Sequence, residues 1–171
     1  SISGENYTAS STETGSVKLR VTDNLAQTDE IEIQVVDVND LDSFKMCQIA
    51  SSQMGFGSLV DSGGIVGNYA DSEDCSFLIQ PTGASSITIT PSVFATASNV
   101  DYLDIYDGTN ASGTFLARYF RSDFTKAITI NSGNAFLVWH SSGSVNSTGF
   151  NLTWTSDAPI QLNLAKQQID L

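Results

Sequence analysis

Short apolar runs separated by turn residues recur along the chain, and none keeps a 3.6-residue period long enough to predict a helix. Turn sequences such as 81–83 (PTG) and 132–134 (SGN) lie between the runs. Many short runs at this spacing predict an all-β protein built as a sandwich. The predicted strands are VKLRV (17–21), IEIQVV (31–36), SFLIQ (76–80), SITIT (86–90), YLDIY (102–106), TFLAR (114–118), AITI (127–130), AFLVWH (135–140) and FNLTW (150–154).

Period-two alternation within each run predicts which side chains face the core. The residues predicted to point inward are Ile87, Ile89, Leu103, Ile105, Ile128, Ile130, Phe136, Val138, Phe150, Leu152 and Trp154. The residues predicted to face water or a neighbour are Thr88, Thr90, Asp104, Thr129, Asn151 and Thr153. The same rule predicts that Trp139 lies on the outside, opposite Val138.

The charge of the chain limits its partners. Nineteen acidic against seven basic residues give a formal net charge of −12, and no cluster of Lys or Arg could neutralise a phosphate backbone. We therefore expect no nucleic-acid partner. No apolar run approaches the roughly 20 residues needed to cross a bilayer, so we expect no membrane insertion within this chain. The chain begins without Met, and we expect it to be a piece of a longer exported protein.

Five stretches identify a family when they are taken in order. The segment DYLDIYDG (101–108) follows Cys75, which itself follows Cys47; the other stretches are GGIVGNY (63–69), DCSFLI (74–79), NSGN (131–134) before FLVWH, and GFNLTW (149–154). Over residues 47–155 they resemble the CUB domain, an extracellular β-sandwich used for recognition. The resemblance implies an antiparallel, jelly-roll type sandwich in a secreted or cell-surface protein.

The resemblance also implies a disulfide between Cys47 and Cys75. Two free, buried thiols are the alternative. The second disulfide that is frequent in the family is absent, because Asn99 occupies the position of one of its cysteines.

Catalytic motifs are missing from the sequence. His140 is the only histidine, and its place inside a predicted strand favours a packed, hydrogen-bonded role over a catalytic one. There is no G-x-S-x-G and no H-E-x-x-H. We therefore expect a protein that is not an enzyme.

No cofactor is expected, with calcium as the alternative. Many CUB domains hold calcium with three acidic residues, and Asp101 matches one of these. The other two have no counterpart, since residues 94–100 contain no Glu and Ser142-Gly143 replaces a Ser-Asp. Asp37, Asn39 and Asp40 form a second acidic group, for which we expect the role of a polar linker, with a calcium site as the alternative.

Aromatic residues with a nearby arginine are typical of interface contacts. Tyr119, Phe120 and Arg121 fall in one connection, Trp139 is predicted to lie outside, and Tyr69 resembles a loop tyrosine of the family. These five are the predicted ligand-binding residues. The alternative for the residues near 119–124 is a small aromatic cluster that covers the edge of the sandwich.

The segments outside the CUB-like region also contain predicted strands. Residues 1–42 resemble the last hairpin and linker of a cadherin-like repeat, residues 43–156 form the CUB-like domain, and residues 157–171 are a C-terminal strand or the start of a next module. An isolated hairpin is marginal in water, so we expect these ends to pair with missing parts of the protein or to self-associate.

The main functional hypothesis is a non-catalytic recognition module in a multi-domain adhesion protein, with a protein or glycan on another surface as its ligand. Two alternatives remain open. The chain could be the accessory domain of an exported protease or glycanase, or an oligomerising element of a surface fibre.

Overall fold

The computed structural model describes residues 43–158 in full and, before them, the backbone of residues 15–22 and 28–35. The chain divides into two compact units, Ser1–Asp42 and Ser43–Leu171. In the part that is described, no helix is long and apolar enough to cross a membrane. The acidic group at Asp37, Asn39 and Asp40 and most of the predicted C-terminal strand lie outside the described residues.

The N-terminal unit contains a β-hairpin. Strand β1 (Gly15–Thr22) pairs antiparallel with β2 (Thr28–Val35), in a register that places Gly15 opposite Val35 and Thr22 opposite Thr28. The two strands predicted from VKLRV and IEIQVV are therefore present as a hairpin.

The second unit is a sandwich of two five-stranded sheets. Sheet I has the order β10-β7-β12-β5-β3 and sheet II the order β4-β6-β11-β8-β9. All neighbours are antiparallel except the two-residue strands β3 and β4, which pair in parallel with β5 and β6. The strands are β3 (Phe44–Lys45), β4 (Ser51–Ser52), β5 (Phe56–Val60), β6 (Asp74–Ile79), β7 (Ile87–Ala95), β8 (Tyr102–Asp107), β9 (Thr114–Phe120), β10 (Ile128–Ile130), β11 (Ala135–His140) and β12 (Gly149–Ser156).

Aromatic side chains from both sheets fill the space between them. Trp154 of β12 lies 6.0 Å from Phe77 of β6 between ring centroids, and Phe150 lies 5.3 Å from Trp139 of β11. These rings are almost completely buried. Because each ring removes a large apolar area from water, their packing supplies much of the attraction between the sheets.

The predicted faces are correct for most strands and wrong for β11. Leu137 and Trp139 are fully buried, whereas Phe136 and Val138 are half-buried on the outer face. The run AFLVWH is apolar on both faces, so its alternation contains no polar residue that would fix the orientation. The indole N–H of Trp139 is satisfied by donating to Glu73 Oε2 at 3.0 Å, which allows the ring to be buried.

Strand β5 was not predicted because its sequence FGSLV lacks alternation. Gly57 faces Trp154 across the β5–β12 pairing, and a Cβ at position 57 would collide with the indole ring. The glycine that weakens the strand pattern is therefore what allows the tryptophan to be buried there.

Residues just beyond β12 are fixed to the loop before β7. Asp157 Oδ1 accepts hydrogen bonds from the backbone N–H groups of Ser85 and Ser86, each at 2.8 Å, and Oδ2 accepts one from the Ser85 hydroxyl. The Ser85 hydroxyl and these N–H groups lower the pKa of Asp157 to about 2. The Asp157 carboxylate therefore attaches the end of β12 to the loop that precedes β7.

The predicted disulfide is present. Cys47, after β3, is bonded to Cys75 of β6, with 5.1 Å between their Cα atoms. The bond joins the connection between β3 of sheet I and β4 of sheet II to strand β6, so it fixes the point where the chain crosses from one sheet to the other.

Removing this bond should weaken the fold without abolishing it. The unfolded chain would gain the entropy of a loop of 28 residues, which corresponds to about 3.6 kcal/mol. We expect the Cys47→Ala/Cys75→Ala variant to lose about that much free energy of unfolding, measured by denaturant titration beside the oxidised parent. Mass spectrometry of the unreduced parent is the control, and two free thiols in folded protein would refute the assignment.

Candidate functional site

Three loops meet at one end of the sandwich: residues 61–73 after β5, 96–101 between β7 and β8, and 141–148 between β11 and β12. The backbone N–H of Tyr69 donates to Ser147 O at 3.3 Å, and that of Ser72 donates to Ser142 O at 2.8 Å. We call this region the loop end. These backbone bonds join the first loop to the third, and the side chains of Tyr69 and Asp101 join the second loop to both.

Asp101 lies at the centre of the loop end and is fully buried. Its Oδ1 accepts a hydrogen bond from Ser142 N at 2.7 Å, and its Oδ2 accepts one from the Tyr69 hydroxyl at 2.7 Å. The Tyr69 oxygen accepts in turn from Ala97 N at 2.8 Å. Burial alone would raise the pKa of Asp101, but the bonds from Ser142 and Tyr69 outweigh it and hold the pKa below its usual value.

A second buried carboxylate, Asp61, was not predicted from the sequence. Its Oδ1 accepts from Gly63 N at 2.8 Å and its Oδ2 from Phe150 N at 2.6 Å. Gly149 has a φ of 71°, and any Cβ there would collide with the Asp61 carboxylate. Desolvation raises the pKa of Asp61 despite these two bonds. The only sequence signal for Asp61 is its position directly after strand β5, and that strand was itself not predicted.

The residues at the loop end do not fit a calcium site. Calcium takes six to eight oxygen ligands, several of them carboxylates. The two buried carboxylates here, Asp101 and Asp61, each accept a hydrogen bond from a protein donor on both oxygens. Within residues 43–158, no group of three or more His, Cys, Asp or Glu side chains could hold a metal ion.

Four aliphatic side chains are exposed on these three loops. Val66 is 100% and Ile65 75% exposed on the first loop, Val100 is 52% exposed on the second, and Val145 is 73% exposed on the third. Val145 also has a φ of 65°, which is rare for a β-branched residue. We call these four residues the aliphatic loop end. Reasoning from the sequence missed them because they lie outside every predicted strand.

The predicted ligand-binding residues occupy different environments. Tyr69 and Trp139 are buried and pack edge to face with centroids 5.0 Å apart, so the expectation that Trp139 is exposed is wrong. Tyr119 is half-buried and stacks on Phe124 at 3.9 Å, which matches the alternative of an aromatic cluster at the edge. Phe120 is half-buried on the outer face.

Arg121 is brought to the loop end by the backbone. Its N–H donates to Thr96 Oγ1 at 2.6 Å, and its carbonyl accepts from Thr96 N at 2.7 Å. Its side chain is exposed, and its φ of 56° is left-handed. Of the five predicted residues, Arg121 is the exposed one beside the three loops.

His140 lies on the outer face of sheet II. Its ring stacks on Tyr102 at 5.1 Å, and Nδ1 donates to Asp74 Oδ1 at 2.6 Å, since a carboxylate only accepts. The ring is therefore packed and hydrogen-bonded, although it lies on the outer face.

A disulfide-linked sandwich of two sheets, with three loops gathered at one end, is a fold of extracellular binding modules. The family model of the CUB domain matches residues 57–154, and the chain belongs to the CUB domain family. CUB domains occur in extracellular or secreted proteins, where they typically mediate protein interactions and are generally non-catalytic. The match does not extend to residues 1–42, so the cadherin-like resemblance of that segment stays a prediction.

One relative and two solved structures illustrate the similarity. The chain is 33% identical over 91 residues to protein tag-53 of Caenorhabditis elegans, which covers 53% of this chain but 7% of that protein. The CUB1-EGF-CUB2 domain of human MASP-1/3 superposes with a TM-score of 0.57 at 16% identity, covering 64% of this chain and 42% of that one. The calcium-bound MASP-1 CUB2 domain gives 0.55 at 17%, covering 64% and 99%. These likenesses establish the fold.

Calcium should leave the stability of this domain nearly unchanged. Stabilisation by a ligand follows RT ln(1 + [L]/Kd), so an ion whose Kd lies far above its concentration adds almost nothing. We expect equal melting temperatures in about 1 mM calcium and in chelator. A clear rise with calcium that disappears in Asp101→Asn would show that the site binds the ion.

The Asp101→Asn variant should lose stability in a pH-dependent way. The pKa of Asp101 is lowered on folding, so its stabilisation is complete above the ordinary value of 3.8 and is lost as the pH falls below it. We expect a loss of about 1–3 kcal/mol at pH 6 and a smaller loss near pH 3. Denaturant unfolding at both pH values measures it. Equal losses would contradict a role for the ionised carboxylate.

Proposed function

We propose that this domain is a non-catalytic recognition module of a multi-domain surface protein and that it binds a protein partner through the aliphatic loop end. One observation carries this proposal: Ile65, Val66, Val100 and Val145 are each exposed, and they lie on three loops that hydrogen bonds join to one another. Single exposed apolar residues need no explanation, but a group of them on one surface is typical of an interaction site.

The underlying network favours a preformed site. Tyr69 and Asp101 hold the three loops by buried hydrogen bonds, so little backbone order has to be gained on binding. A preorganised surface loses less conformational entropy when it binds, which increases affinity. The left-handed φ of Val145 supports the same proposal, because strained residues concentrate at binding sites.

The exposed residues favour a protein over a glycan as the partner. Aliphatic side chains gain free energy by entering an apolar pocket, and sugars are recognised mainly by hydrogen bonds and by stacking on aromatic rings. The two aromatic residues predicted for ligand binding at this end, Tyr69 and Trp139, are buried and have no face free for stacking. Acidic residues such as Asp71 border the loops, so a basic rim on the partner would complement them.

Two alternative functions can be tested separately. An accessory role beside a catalytic domain would be favoured if the full-length gene encoded an exported protease or glycanase. An oligomerising role, through the terminal segments, would be favoured if sedimentation showed a mass above that of the monomer.

The proposal is tested by screening the 171-residue chain against arrays of extracellular proteins and glycans and against intact cells. The Ile65→Ser/Val66→Ser variant should keep its melting temperature, since both residues are exposed, but should bind its protein hits at least tenfold more weakly. Val93→Ser is the matched control, because Val93 is exposed on a strand of sheet I. Binding that the double variant leaves intact would refute the loop-end site, and hits confined to glycans would refute a protein partner.

A further inference from the structure

The two outer faces of the sandwich differ in chemistry. On sheet I the outward side chains are mainly Thr, Ser and Asn, which bond to one another: Thr88 Oγ1 lies 3.3 Å from Thr129 Oγ1, and Ser58 Oγ donates to Asn151 Oδ1 at 3.2 Å. A face of this kind satisfies its own polar groups. Sheet II instead carries aromatic and aliphatic side chains on its outer face, where a solvated sheet normally alternates to polar residues.

The register defines three cross-strand rows on this outer face, running from β6 through β11 and β8 to β9. We call the twelve residues the aromatic face. The rows are Asp74, His140, Tyr102 and Phe120; Ser76, Val138, Asp104 and Arg118; and Leu78, Phe136, Tyr106 and Phe115.

The third row is apolar over its whole length. Tyr106 lies 5.5 Å from Phe115 and 6.5 Å from Phe136 between ring centroids, and Phe115 is 52% exposed. Contiguous rings on a sheet surface offer a large apolar area that is already rigid. Such a surface favours contact with apolar side chains.

Arg118 belongs to the edge strand β9, and its guanidinium reaches over the neighbouring strand β8. Its Nε and Nη2 donate to the two oxygens of buried Asp104, each at 2.7 Å, and its Cζ lies 3.6 Å above the Tyr102 ring. These bonds use one edge of the guanidinium, and the side chain remains 46% exposed. The edge formed by Nη1 and Nη2 can therefore bind a second carboxylate in bidentate geometry. The bonds to Asp104 raise the pKa of Arg118, so its charge is permanent.

The edge of β9 is a poorer docking site than the aromatic face beside it. A register shift between Ile105 and Tyr106 interrupts the β8–β9 pairing, and the N–H of Phe120 is taken by Asp123 Oδ1 at 2.9 Å. Bulges and capped N–H groups of this kind block strand addition. A partner should therefore lie on the aromatic face and not extend the sheet.

We propose that the aromatic face is a second interaction surface, which binds a protein segment that carries an Asp or Glu next to apolar side chains. The carboxylate would pair with the free edge of Arg118, and the apolar side chains would cover the row from Leu78 to Phe115. A sulfated glycan could supply the anion but would leave that apolar row uncovered. This proposal is independent of the one for the aliphatic loop end.

The size of the aromatic face predicts weak binding. Four strands about 4.8 Å apart and three rows about 6.8 Å apart give a footprint of roughly 200–400 Å². Stable interfaces bury about 800 Å² per partner. We therefore expect micromolar or weaker affinity for a single segment, and the method of detection must tolerate that.

A multivalent phage library of random 12-residue peptides, selected against the 171-residue chain, is a suitable probe. The enriched peptides should share an Asp or Glu flanked by apolar residues. A synthetic version should shift the NMR signals of the aromatic face in the labelled chain. Its Asn or Gln counterpart should bind about tenfold more weakly, because it cannot form the bidentate ion pair.

Variants of the protein separate the two parts of the site. Arg118→Lys keeps the charge and a bond to Asp104 but loses the second bidentate edge, and it should weaken peptide binding about tenfold. Phe115→Ser removes exposed apolar area without disturbing the ion pair, and it should weaken binding to a similar degree. Val93→Ser, on the outer face of sheet I, should change nothing.

Several results would overturn the proposal. These are the failure of any peptide to enrich, enriched peptides without an acidic residue, or NMR shifts confined to the loop end or to sheet I. A heparin-derived oligosaccharide that binds the aromatic face more tightly than every peptide would assign the face to sulfated glycans instead.

Discussion

The hydrogen bond between the Tyr69 hydroxyl and the buried Asp101 carboxylate is the interaction on which the loop end depends. A buried carboxylate is costly unless donors surround it, and Asp101 obtains them from two different loops. Tyr69 also accepts the N–H of Ala97, so one phenol oxygen connects the first loop to the second. These buried hydrogen bonds fix the loops that carry the exposed aliphatic residues, although no aliphatic side chain forms one of the bonds.

Two buried carboxylates at the loop end are both stabilised by hydrogen bonds from protein donors, but their pKa values shift in opposite directions. Asp101 receives enough hydrogen bonds to keep its pKa low, whereas desolvation prevails at Asp61 and raises its pKa. Both are held by hydrogen bonds from protein donors. Backbone N–H groups thus provide the positive potential that organises the loops, and the surface above them is free to carry apolar residues.

The fold was largely predictable because most strands contrast apolar with polar residues. Ile87 and Ile89 alternate with threonines, so their inward orientation could be read directly from the sequence. β11 lacks that contrast, and contacts distant in the chain fix its orientation, such as the bond between Trp139 and Glu73, 66 residues apart, and the packing of Trp139 against Phe150. The candidate site was less predictable for the same reason: Asp61 depends on the distant Phe150, and the exposed loop residues belong to no periodic pattern.

The position of β12 has a mechanical consequence for any chain that continues beyond Asp157. β12 lies between β7 and β5 in sheet I, and the Asp157 carboxylate fixes its end to Ser85 and Ser86. A tensile force applied at that end along the strand would load the hydrogen bonds on both sides of β12 in shear, so they must break together and cannot open one at a time. The β9 edge, with one neighbouring strand, could instead peel. The domain should thus resist a pulling force most strongly when the force is applied at the end of β12.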